Sequence, residues 1–70
     1  MIDRKYIRKR LNYIRNAQAE HKESLITIAS AYMTCADTNE TCKELVDAVM
    51  IAAQTLDIFL DLLNKILEKV

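Results

Sequence analysis

The sequence predicts an all-α protein: a two-helix antiparallel hairpin that self-associates into a four-helix bundle. Three observations predict it. The 70 residues contain no Gly and no Pro, which removes the usual turn punctuation and leaves few places where the chain can reverse. Apolar residues recur at alternating spacings of three and four along two long stretches. Between them lie Asp37, Thr38 and Asn39, short side chains that favour caps and turns over helix interiors. The chain therefore reads as one domain over 1–70, with a helix over 3–36, a turn at 37–39 and a helix over 40–70.

The first helix is expected to start at once. Asp3 is a ready N-cap, and Ile2 and Ile7 flank it at the spacing of a hydrophobic staple. From there Ile7, Leu11, Ile14, Gln18, His21, Leu25, Ile28, Tyr32 and Cys35 form one row. Gln18 and His21 are its polar members, and polar residues in a seam often set register and oligomer state. That reading is preferred to a ligand or pH-switch role for His21, because no Cys, Asp or Glu stands one turn away along the seam. One flank of the row carries Ala17, Ser24 and Ala31. The other carries Arg8, Arg15 and Lys22.

The second helix can start from Thr38 or Asn39, and Thr41 with Glu44 also has capping-box spacing. Two rows make its expected seam: Cys42, Val49, Leu56, Leu63 and Val70, then Leu45, Ala52, Phe59 and Ile66. Further apolar rows lie outside it, at Val46, Ala53, Leu60 and Leu67 on one side and at Ile51, Ile58 and Leu62 on the other. Only a strip from Lys43 through Asp47, Gln54, Asp57, Asp61 and Asn64 to Glu68 is polar. An apolar arc well beyond ~100° needs cover from more than one direction, which one neighbouring helix does not supply. The short turn forces antiparallel neighbours and sets Cys35 opposite Cys42, Ile28 opposite Val49 and Ile14 opposite Leu63. The surplus, with the small flank of the first helix, marks the expected dimer interface: Ala17, Ser24, Ala31, Val46, Ile51, Ala53, Ile58, Leu60, Leu62 and Leu67.

Size supports assembly too. A domain this short buries only ~60% of the surface its unfolded chain exposes, and disulfides, metals or oligomerisation commonly make up the difference. With two Cys and one His, oligomerisation is the natural remedy; no metal and no cofactor is expected. Cys35 and Cys42 come close beside the turn, so a disulfide stays open, but the expected state is a reduced, buried pair. Basic residues interrupt the first ten positions where a signal peptide would be apolar. Asp47, Gln54, Asp57 and Asp61 interrupt the most apolar run, which argues against a membrane span. A cytoplasmic protein is the expectation.

Ten basic and ten acidic side chains cancel, yet their distribution is polar. Arg4, Lys5, Arg8, Lys9, Arg10 and Arg15 crowd the start of the first helix, where cations oppose the helix dipole. With Lys65 and Lys69 against Asp3, Asp61 and Glu68, eight bases meet three acids at the open end of the hairpin and leave +5. At the turn end Lys43 against Asp37, Glu40, Glu44 and Asp47 leaves −3. Tyr6 and Tyr13 stand among the basic residues, as stacking groups do in proteins that bind unpaired bases.

No motif names a reaction, and two packed helices offer little concavity for a held base and nucleophile, so an enzyme is not expected. The favoured function is a small non-catalytic regulator or adaptor that docks on another protein, in the manner of compact phage- or plasmid-encoded inhibitors. The alternative is RNA or DNA binding through Arg4, Lys5, Arg8, Lys9, Arg10, Arg15, Tyr6 and Tyr13. A membrane-surface role is not expected, because the first helix keeps its apolar face for the seam.

Overall fold

The computed structural model describes residues 3–70, which form two α-helices, α1 (Arg4–Ala36) and α2 (Glu40–Leu67). Asp3 caps α1, its carboxylate accepting from the Lys5 N–H at 3.1 Å. The expected staple partner Ile2 lies outside the described residues. Asn39 caps α2: its side-chain oxygen accepts from the Cys42 N–H at 3.1 Å, which settles the start among the three candidates. α2 stops at Leu67, three residues before the expected end, with Glu68 as its C-cap.

The helices run antiparallel and make a slab 55 × 17 × 14 Å across its Cα atoms. Its radius of gyration, 16.1 Å, compares with about 11 Å for a compact chain of this length. Two helices side by side have one layer of contact, and that layer is thin. Its buried members are Ala29 on α1 and Val46, Val49, Ala53 and Leu63 on α2, with Leu25 and Ala36 packed against Ala29, Val46 and Val49.

Which row of α2 closes the hairpin differs from the expectation. Val46 and Ala53 are buried and Leu60 and Leu67 half-buried, whereas Leu45, Phe59 and Ile66, expected in the seam, are 39–48% exposed. The other expected row, Cys42, Val49, Leu56, Leu63 and Val70, is buried or half-buried as expected; either flanking row completes a 3-4 repeat with it, displaced from the other by one residue or about 100° around the helix, and periodicity alone does not choose between them. On α1 the seam starts as expected with Ile7, Leu11, Ile14 and Gln18. It then passes to Lys22, Leu25, Ala29 and Ala36, leaving His21, Ile28 and Tyr32 exposed. A straight α-helix drifts ~20° per heptad against a strict seven-residue repeat, and over the 33 residues of α1 that drift moves the contact line to the next residue.

The cysteines also differ from the reduced state expected of them: Cys35 and Cys42 form a disulfide, with Cα atoms 5.9 Å apart. A three-residue turn that brings two helix ends to one level puts that distance inside the 4.4–6.8 Å a bridge requires.

Candidate docking surface and the basic end

The hairpin has two unlike sides. On one, polar side chains reach from helix to helix across the seam: Lys22 pairs with Asp57 at 2.5 Å, Arg15 donates to the Asn64 side-chain oxygen at 3.4 Å, and Arg8 donates to the Val70 carbonyl. These contacts also fix the register along the slab. Toward the turn the same side exposes Ile26, Met33 and Met50.

The other side has no such closure. At about 100° per residue, the residues of α2 turned away from Asp57 and Asn64 are Leu45, Ala48, Ala52, Thr55, Phe59, Leu62 and Ile66, another unbroken 3-4 repeat. Ile51 and Ile58 extend it outward, each 65% exposed. Along α1 the matching flank holds Ala17, His21, Ser24, Ile28, Ala31 and Tyr32, all exposed. Thr55 is polar by composition, but its hydroxyl already donates to the Ile51 carbonyl at 3.0 Å, so it carries no unmet hydrogen bond onto this face. The result is an apolar stripe along the length of one side.

Of the residues predicted to bind a partner copy, Ala17, Ser24, Ala31, Ile51, Ile58 and Leu62 lie on this exposed side. Val46, Ala53, Leu60 and Leu67 instead close the hairpin. Residues that sequence reasoning placed inside, Leu45, Phe59, Ile66, Ile28 and Tyr32, take their places on the stripe. A signal for this was present: Lys22 with Asp57, and Arg15 with Asn64, lie within two residues of level in the predicted register, ~3 Å of helix rise. Requiring those pairs to meet selects the Val46–Leu67 row for the seam.

The basic residues do not form one patch. Arg8 and Arg15 fold across the polar side, as just described, and Arg4 shares that angular sector. Lys5 and Lys9 project from the back of α1. Arg10 lies toward the stripe, its guanidinium carbon 5.7 Å from the Tyr13 ring centroid, with Tyr6 one further turn away. Both tyrosines are largely exposed, at 59% and 66%. The exposed group that makes no contact with α2 is thus Arg4, Lys5, Lys9, Arg10, Tyr6 and Tyr13.

No protein-family model matches the chain, and no curated protein or solved structure matches it either. Function therefore rests on this geometry.

Two further features bound the chemistry. A shallow concavity at the turn is lined by Ala36, Asp37, Thr38, Asn39, Glu40 and Lys43, all polar apart from Ala36. Among the described residues no three of His, Cys, Asp and Glu gather into a metal-binding group, and no helix is long and apolar enough to cross a membrane.

Proposed function

We propose that the chain is a small non-catalytic regulator or adaptor that acts by docking, and that its working form is a homodimer in which the stripes of two hairpins meet to make a four-helix bundle. The observation that carries this reading is the apolar side itself. A folded monomer of 8.1 kDa exposes about 4,500 Å² by the usual size scaling, whereas this hairpin exposes 5671 Å². The excess of roughly 1,200 Å² is surface that two helices side by side leave uncovered, and the apolar stripe is part of it. An apolar stripe left in water along one whole side is an association site.

Pairing through the stripe leaves the opposite side for another macromolecule. There Ile26, Met33 and Met50 lie beside the acidic turn end, and unbranched Met side chains adapt to varied apolar partners. Sedimentation equilibrium tests the first step: the expected mass is 16.2 kDa, twice 8.1 kDa, and a species that stays at 8.1 kDa up to millimolar concentration refutes it. A cytoplasmic location belongs to the same reading, and it requires the Cys35–Cys42 bridge to be open in the cell, because that compartment keeps thiols reduced. Alkylation of thiols at the moment of cell lysis tests it: a pair found bridged refutes the location.

Nucleic-acid binding is the second reading, favoured by the Arg10–Tyr13 contact and the free Lys5 and Lys9. Fluorescence anisotropy of labelled duplex DNA and structured RNA between ~50 and ~200 mM salt decides it, because each phosphate contact adds about one unit to the salt slope. Lys9→Ala with Arg10→Ala then lowers the slope by about two if the reading is right. No binding at low salt removes it.

A further inference from the structure

The homodimer leaves open how the two hairpins are oriented, and the stripe carries that information. We infer that the second copy docks antiparallel to the first, on a two-fold axis perpendicular to the helices that crosses α2 between Thr55 and Leu56 and α1 between Lys22 and Glu23. The inference rests on the homodimer proposed above and deepens it.

Size complementarity is the first argument. With that axis α2 lies on α2 of the second copy, and reversal about the crossing point sets Ala52 against the second copy's Phe59 and Leu45 against its Ile66, and brings Ala48 within one residue of its Leu62. Small faces large at both inner levels, which is how helices interdigitate to interior density. On α1 the same operation sets Ala17 against Ile28, again small against large, while His21 meets the hydroxyl of Ser24. The two rows are independent of each other. Their crossing points nonetheless fall within one residue of the same level, ~1.5 Å of helix rise, because Lys22 is bonded to Asp57. Sliding the copies by one heptad step destroys the match: Ala52 then faces Ala52, or Phe59 faces Phe59.

Charge is the second argument. The open end of each hairpin carries +5 and the turn end −3. An antiparallel pair brings each basic end to the partner's acidic end, with Arg10 near Asp37 and Lys65 near Glu44. The parallel alternative has its two-fold axis along the hairpin. It stacks α1 on α2 at the hairpin's own register, merges two +5 ends into one, and lays Arg10 beside Ile66, where a cation loses water without gaining a partner.

Two measurements test the orientation. A spin label on a non-natural side chain at Glu40, which leaves Cys35–Cys42 intact, sits ~15 residues from the axis in each copy. Pulsed dipolar spectroscopy is expected to read roughly 45–50 Å in the antiparallel dimer, against less than ~25 Å in the parallel one, where helices pack 8–10 Å apart. A short distance overturns the orientation and leaves the dimer standing. No dipolar signal, with a monomer mass, overturns the dimer itself. The second measurement is a size swap. Ala52→Phe is expected to raise the dimer Kd about tenfold or more by overfilling the contact, and adding Phe59→Ala is expected to bring it back to within about threefold. In the parallel dimer the two α2 helices lie on a diagonal and do not touch, so failure of the second substitution to rescue the first overturns the proposal.

Discussion

Cys35 and Cys42 are the residues whose chemistry changes the hairpin most. They close a loop with a sequence separation of seven beside the only turn among the described residues, and they do so where the Asn39 cap and the Thr38 N–H to Cys35 carbonyl bond already hold the backbone. Loop-closure entropy for so short a ring gives about 2–3 kcal/mol. Cys35→Ser is therefore expected to lower stability by about that amount, read as a drop in the urea midpoint, and the parent protein in reductant is expected to fall to the same midpoint. A midpoint that does not move under reductant shows that the pair is not bridged in solution. The ion pair between Lys22 and Asp57 is a different case. Their side chains are 28% and 66% exposed, so the pair contributes well under ~1 kcal/mol, and its importance is in selecting which faces of the helices meet.

At the scale of the element, α2 is a helix with two working faces. One, through Val46, Val49, Ala53 and Leu63, is buried against α1; the other, through Leu45, Phe59 and Ile66, is left to solvent by the hairpin alone. Truncations on the two faces separate accordingly. Leu63→Ala, at a position 5% exposed, is expected to cost about 2–5 kcal/mol through lost burial and the cavity left behind, at any protein concentration. Phe59→Ala, at a position 41% exposed, is expected to leave the dilute hairpin close to its original stability and to weaken association. Circular-dichroism melts at a low and a high protein concentration distinguish the two. Equal losses for both variants in dilute protein would mean that Phe59 is a hairpin core residue after all.

For the whole molecule the decisive quantity is surface. Among the described residues five buried side chains, two of them Ala, make a meagre core, and no large side chain is fully buried. In the proposed dimer, association through the stripe adds a second layer of apolar contact. Since anything that binds the native state and not the unfolded one stabilises by mass action, the melting temperature is expected to rise with protein concentration, several degrees per tenfold near the dimer Kd. A melting temperature flat from ~1 to ~500 μM would mean that the hairpin is stable alone. The same scale governs the electrostatics. In the proposed antiparallel dimer, a molecule of zero net charge with ends of +5 and −3 is steered by another charged surface only until its own copy has neutralised it, so pairing and docking would draw on the same groups.

The sequence by itself determined the two helices, the position of the turn within one residue, the antiparallel register that sets Cys35 level with Cys42, and the surplus of apolar surface. Each follows from local information: absent Gly and Pro, cap residues, and a 3-4 repeat. Only the tertiary structure decided which of two adjacent repeats on α2 faces α1, because rows one residue apart have the same period and similar hydrophobicity. The choice went to Val46, Ala53, Leu60 and Leu67, the row that lets Lys22 reach Asp57 and Arg15 reach Asn64 on the neighbouring flank. That rotation sent Leu45, Phe59 and Ile66 to the outside. A helix's period is written in its residues one at a time, but its rotation is set by whatever it packs against.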